Sequence, residues 1–283
     1  MPHTFPSDFS PPVAKLIALG EKSTRGIDPW LDYQELGITS AHIPELIRII
    51  QEIEQFWPIG DTESAEISAP IHAWRALGQL QSSQAIPELI ELIVKNEELD
   101  SDWIMEEVPK VMGMIGPVCI PALRAYLLSP KKLIWASVTV GHCLAEVSKQ
   151  NTESRSDCVA ALKAGLESYA QNDKTINGFL ITNLAELKAT ETAAFVERVY
   201  QADRVDLSIM GDFEEYEIAV GLLKERLTPP PRYGYFDDPQ AQWEIDKKAR
   251  QEEERRKRQQ AQKEKKKRKQ AKKTRRGKRG KRK

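Results

Sequence analysis

The chain has 283 residues, with 42 Lys or Arg against 42 Asp or Glu and an apolar fraction of 40%. Its length allows one large or two small folded units. The three cysteines, Cys119, Cys143 and Cys158, lack CxxC spacing, which argues against a disulfide framework or a cysteine-rich zinc site.

Formal neutrality hides a partition of charge. Residues 240–283 hold 22 basic and 6 acidic side chains, a net of +16, while residues 1–239 hold 20 basic and 36 acidic, a net of −16. An acidic body carrying a polycationic tail implies an anionic partner. The start of the chain, MPHTFPSDFSPPV, has neither the basic residues nor the apolar stretch of a signal peptide. No run reaches the roughly 18 apolar residues that a membrane span needs. The expected location is cytoplasmic.

In chain order, residues 1–27 read as an N-terminal segment with one short helix, and residues 28–227 as a helical body. Apolar residues recur at helical spacing in short stretches: Leu46, Ile47 and Ile50 after Ile43; Ile86, Leu89, Ile90 and Ile93; Ile120, Leu123 and Leu127. Each set forms one stripe on a helix. Two-residue alternation is not sustained, so strands are not expected. The stretches also resemble one another. HIPELIRII (42–50), AIPELIELI (85–93) and CIPALRAYL (119–127) each place a proline near the helix start, at Pro44, Pro87 and Pro121. There the missing N–H has no intrahelical partner to lose. The prolines lie 43 and 34 residues apart, a period typical of helix-pair repeats.

The helix before each copy repeats too. Leu77-Gly78-Gln79-Leu80 leads through residues 81–84, Leu184-Ala185-Glu186-Leu187 through residues 188–191, and Met112-Gly113-Met114-Ile115 through Gly116-Pro117. Gly78, Gly113 and Ala185 are expected to let the two helices of one pair approach near their turn, with Ser83 and Thr190 as N-caps. Each pair buries only part of its apolar surface alone, so neighbours must stack. That predicts an all-α fold, an α-solenoid of antiparallel helix pairs.

These segments resemble HEAT-type repeats, especially the kind first described in phycobilisome lyase subunits. IHAWRALG (71–78), DWIMEEVP (102–109) and MGDFEEYE (210–217) are closer still to an uncharacterised bacterial HEAT-like family, over roughly 28–223. The resemblance implies a HEAT-like fold without an assigned activity. Some similar bacterial proteins end in a SEC-C-type zinc motif. This chain has no cysteine after Cys158, so that metal site is not carried over, and the basic tail stands in its place.

Residues 228–239 form a Pro/aromatic linker. Pro229, Pro230 and Pro231 favour an extended polyproline stretch, and Tyr233, Tyr235 and Phe236 either dock on the last repeat or form a short recognition segment. Residues 240–283 form the polybasic tail. Glu252, Glu253 and Glu254 precede Arg256, Lys257 and Arg258 by four residues, which favours a helix. From Lys272 onward, disorder is expected. Residues 255–283 contain 19 Lys or Arg and one acid, Glu264. Nucleic-acid phosphate contacts are assigned to Arg255, Arg256, Lys257, Arg258, Lys265, Lys266, Lys267, Arg268 and Lys269. They continue through Lys272, Lys273, Arg275, Arg276, Lys278, Arg279, Lys281, Arg282 and Lys283. With no interleaved aromatics, base stacking and sequence readout are not expected.

The remaining side chains give little chemistry. His3, His42, His72 and His142 show no metal-ligand spacing and are expected to pack or be exposed. Asp212, Glu214, Glu215 and Glu217 lack the glycine and carbonyl pattern of a calcium loop and read as a solvated helix start. Asp102, Glu106 and Glu107 are read in the same way. Trp74 and Trp103 are expected in the core, and Arg75 either lines a groove or donates hydrogen bonds between repeats. GxGxxG, GxxxxGK[ST] and GxSxG are absent, so neither catalysis nor a cofactor is implied. The expected function is a non-catalytic scaffold or adaptor, with a protein on the solenoid surface and RNA, ribosome or DNA on the tail. The alternative is an accessory subunit of a modifying or chaperoning system, whose helical groove holds a client protein or a cofactor.

Overall fold

A computed structural model describes residues 8–20, 30–57 and 65–231, and positions 243, 246–248, 250, 251, 255 and 257. The chain divides into two units, Met1–Glu225 and Arg226–Lys283. Among the described residues every element is helical and there is no strand.

The first unit opens with α1 (Pro11–Ile17), then α2 (Ile43–Gln51) and the single turn α3 (Ile53–Phe56). Four helix pairs follow: α4 (Ala69–Gln79) with α5 (Ile86–Leu99), α6 (Asp102–Ile115) with α7 (Ile120–Leu128), α8 (Ile134–Gln150) with α9 (Arg155–Leu166), and α10 (Lys174–Glu186) with α11 (Ala193–Gln201). Short helices α12 (Leu207–Met210) and α13 (Phe213–Val220) close the unit. The helices form two layers. In one, α4, α6, α8 and α10 pack in succession, extended by α1 against α4 and by α12 and α13 against α10. In the other, α2, α5, α7 and α9 pack in succession. The architecture is that of an α-solenoid.

The repeated sequence gives a repeated turn. Ser82 N donates to Leu77 O at 3.1 Å and Ala189 N to Leu184 O at 3.0 Å. In both, the residue between takes a positive φ, 49° at Gln81 and 52° at Lys188. This is the left-handed stop that satisfies the last carbonyls of a helix. Each proline helix is then entered through a 3-10 turn, with the proline in its first two positions. Those turns correct the expected caps. Ser83 and Thr190 open the 3-10 turns and cap nothing, because the tight turn already occupies the first N–H groups, as in Ala85 N to Ser82 O at 3.1 Å.

The small residues also serve a different contact from the expected one. A Cβ on Gly78 would lie 3.4 Å from the Cα of Val111 in α6, and one on Gly113 would lie 3.0 Å from the Glu146 carbonyl in α8. These glycines let α4 approach α6 and α6 approach α8, between successive pairs rather than within one. Gly141 continues the series against Asn183 of α10. The reason is geometric: stacking of the first-layer helices brings backbones closer than the intra-pair turn does. Ala185 is buried at the equivalent place in α10.

Polar side chains reach across repeats to cap helices. Arg155, at the start of α9, donates from Nε to Leu187 O at 2.8 Å and from Nη2 to Lys188 O at 2.9 Å, and Asn151 Nδ2 donates to Gly113 O at 3.0 Å. The Glu97 carboxylate of α5 accepts from the Trp135 and Ala136 N–H groups, at 2.8 and 3.1 Å, at the start of α8. Glu97→Ala is therefore expected to cost about 1 kcal/mol in urea unfolding, with Glu97→Gln intermediate. No change in either variant would show that solvent caps α8 equally well.

Candidate interaction surface

Among the described residues, grooves on the helical body include two with both apolar and charged lining. The first, about 440 Å³, crosses α6, α8 and α10 and is lined by Glu106, Pro109, Lys110, His142, Glu146 and Glu186 among others. Trp135, His142, Glu146 and Lys149 share one face of α8 by their 7-4-3 spacing. Lys149 Nζ bridges Glu146 at 2.8 Å and Glu186 at 3.1 Å, which pins one cation between two helices. Phe179 receives the edges of Trp135 and His142, with ring centroids 6.3 and 5.8 Å apart. Burial holds His142 below the usual imidazole range, against the opposing pull of Glu186. The surface thus grades from an aromatic shelf into a set of paired charges.

The second groove, about 520 Å³, lies along α5 and is lined by Ile50, Leu92, Val94 and Leu133 together with Glu88, Glu91, Lys95, Glu97 and Glu98. Leu133 belongs to an exposed run, with Leu133, Ile134 and Trp135 exposed by 41, 38 and 48%.

Beneath the surface, α4 is buried along almost its whole length, polar residues included. His72, Arg75 and Gln79 form one stripe by their 3-4 spacing, and the turn-containing segment before α2 covers it. Gln79 Nε2 donates to Leu31 O at 2.7 Å and its Oε1 accepts from Tyr33 N at 3.0 Å. Tyr33 Oη lies 2.7 Å from His72 Nδ1, while His72 Nε2 faces the Gly20 carbonyl at 3.4 Å. A carbonyl only accepts, so Nε2 carries the proton and Nδ1 accepts from the tyrosine. Burial pushes the Tyr33 hydroxyl far up from its ordinary value and drives His72 down to about 4.

Arg75 joins this stripe to the next repeat. Its Nε donates to Glu107 Oε2 at 2.8 Å and its Nη2 to Oε1, while Trp74 Nε1 donates to Oε2 at 2.9 Å. The guanidinium carbon sits 4.9 Å from the Trp30 ring centroid. Both charges are buried, Arg75 at 1% exposure and Glu107 at 5%. Of the two roles open to Arg75, it takes the inter-repeat donor. Glu107 departs from the solvated position expected of it, because its place midway along α6 faces α4 instead of water.

A family model described as PBS lyase HEAT-like repeat matches residues 72–95, the stretch from His72 of α4 to Lys95 of α5. Residues 72–95 are similar to a HEAT-like repeat. Together with the all-helical build of the described residues, the match fits a HEAT-like repeat protein. No curated protein and no solved structure matches the chain. The matched stretch contains the Arg75 end of the buried pair and, from the acidic face of the second groove, Glu88 and Glu91.

Other sequence readings resolve individually. Trp74 is fully buried and Trp103 half-buried against the core. Asp212 caps α13 by accepting from Glu215 N at 3.3 Å, with Glu214 and Glu215 in the first turn, as an acidic helix start requires. His42 accepts from Thr39 N at 2.9 Å in a capping turn. Burial pushes the Cys119 thiol up to about 12 and raises those of Cys143 and Cys158, which disfavours the nucleophilic thiolate. Among the described residues no group of three His, Cys, Asp or Glu is placed to hold a metal ion. No single helix there is long and apolar enough to cross a membrane.

Of the tail positions assigned to phosphate contact, Arg255 and Lys257 are helical and exposed. The other sixteen lie outside the described residues, as do His3, Tyr233, Tyr235 and Phe236. Within the second unit, Lys247 Nζ lies 4.2 Å from the Trp243 ring centroid.

Proposed function

We propose that this protein is a non-catalytic adaptor: the helical body binds a partner protein, and the basic tail holds the complex to RNA, ribosome or DNA through phosphates. A HEAT-like repeat points to a protein-interaction scaffold. The observation that carries the finer reading is the partition of charge, −16 in residues 1–239 and +16 in residues 240–283. Cations at this density release counterions from a polyanion irrespective of sequence, and the binding weakens steeply with salt.

Deleting residues 255–283 is expected to abolish binding of a labelled single-stranded RNA while leaving the circular dichroism and melting of the body unchanged. For the full chain, the logarithm of affinity should fall linearly with the logarithm of salt concentration. Unchanged RNA affinity after the deletion would sink the reading.

The second reading is an accessory subunit of a modifying or chaperoning system, in which the helical groove holds a client protein or a cofactor. The match to a PBS lyase HEAT-like repeat favours it. Under this reading the tail-less body, purified from its native cell, retains one client or a bound chromophore. Recovery of only ribosomal proteins and RNA, and only with the tail present, would count against it.

A further inference from the structure

The groove along α5 combines an apolar floor with a row of charged side chains. Glu88, Glu91, Lys95 and Glu98 lie at helical spacings of 3, 4 and 3, so they share one face of α5 and line the groove together. Lys95 is committed to Glu54 of α3 at 2.8 Å. The carboxylates of Glu88, Glu91 and Glu98 have no ion pair or hydrogen bond among the described residues. Three like charges around one apolar channel repel one another, and a cation entering it relieves that repulsion.

The apolar end of the groove is fixed in place. Leu133 N donates to the Tyr126 hydroxyl at 3.1 Å, Lys131 N to Ser129 Oγ at 3.2 Å, and Glu97 holds the N–H groups of Trp135 and Ala136. Leu133 and Ile134 are thus presented to solvent on an ordered backbone, and little conformational entropy remains to be lost when a partner covers them.

We propose that this groove receives a basic amphipathic helix of a partner protein, its apolar stripe on Val94 and Leu133 and its Lys or Arg side chains against Glu88, Glu91 and Glu98. The proposal rests on the scaffold reading and names the chemistry of the partner. Charge complementarity selects a cationic segment, and the apolar floor selects one with aliphatic or aromatic side chains. Residues 258–283 of this chain satisfy only the first condition, since alanine is their largest apolar residue. A helix fits better than an extended strand because one helical face presents both stripes at once.

The test uses the full chain and a fluorescent helical peptide of about 18 residues, built of Leu on one face and Lys on the other. Two comparison peptides are a scrambled version of it and one with every Leu replaced by Ala. The amphipathic peptide is expected to bind at least about tenfold more tightly than either, by anisotropy. Glu91→Lys/Glu98→Lys and, separately, Leu133→Asp should each weaken it by about tenfold or more. Glu91→Gln/Glu98→Gln serves as the milder variant if charge reversal disturbs the fold. Glu153→Lys/Asp157→Lys makes the same change of charge on exposed positions near the start of α9, and should leave affinity within about twofold.

Three results overturn the proposal: no binding of the amphipathic helix, equal binding of the alanine peptide or of a 240–283 peptide at the groove, or an equal loss with the α9 pair. The second would make the groove a polycation site open to this chain's own tail, and the third would reduce the effect to net charge. RNA affinity of the groove variants should match that of the unaltered chain. Failure of the groove is thereby separable from failure of the tail.

Discussion

Arg75→Leu is expected to destabilise the helical body by about 3–5 kcal/mol, the largest effect of any single substitution considered. The variant leaves the Glu107 carboxylate buried at 5% exposure, with the two Arg75 bonds gone and the Trp74 indole as the remaining donor. An unpaired carboxylate in that setting must be hydrated by local opening or protonated, and either loosens the contact between α4 and α6. Replacing both partners, as in Arg75→Leu/Glu107→Leu, removes the buried charge and should recover most of the loss, because a well-packed apolar pair often matches a buried ion pair. Urea unfolding of the two single variants and the double variant measures the coupling directly. Additive losses, or a cost for Arg75→Leu below about 1 kcal/mol, would mean that the pair does not tie the repeats together.

Acidification is expected to weaken the body through His72. Its folded-state value of about 4 lies below the ordinary 6.5, with burial as the main cause and the neighbouring Arg75 cation adding to it against the Gly20 carbonyl. The folded state therefore refuses a proton that the unfolded chain accepts. Stability from this group is fully present above pH 6.5, falls as the pH drops toward 4, and is lost below that value. The difference of about 2.5 units corresponds to roughly 3 kcal/mol. Carboxylates also titrate in this window, so His72→Gln supplies the reference. The stability gap between the two proteins should shrink by roughly 3 kcal/mol between pH 7 and pH 4. A gap that stays constant with pH would exclude His72 as the titrating group. His142, also pushed down by burial, is present in both proteins and does not affect the comparison.

The two predictions bear on how the body presents its surface. The Arg75–Glu107 pair and the His72–Tyr33 hydrogen bond fix α4 against α6 and against the segment before α2. The same helix pair, α4 with α5, carries the acidic face of the second groove. Loss of the buried set should therefore be felt at that groove before the more distant pairs α8–α9 and α10–α11.

Much of the fold follows from local sequence. The recurring Ile-Pro followed by a leucine at the third position after the isoleucine fixes a helix start and an apolar stripe, and Leu89 and Leu123 are fully buried as that stripe requires. The period of the repeats implies stacked pairs, since one pair cannot cover its own apolar face. The charge partition between body and tail is likewise a property of the sequence alone.

Tertiary structure decided what depends on contacts between repeats. Whether Gly78 and Gly113 serve the turn of their own pair or the next first-layer helix depends on which backbone comes closest, and a local window does not hold that information. The same holds for Glu107, which follows Asp102 and Glu106 on α6 but faces α4 instead of solvent. Its separation from Arg75 by 32 residues is near the repeat period, the one trace of the pairing visible in the sequence. The groove on α5 needed successive repeats to stack, because its acids come from one helix, its floor from α2 and α5, and its apolar end from the turn before α8. Helix periodicity sets which residues share a face, and only the packing of the repeats sets which faces remain open to a partner.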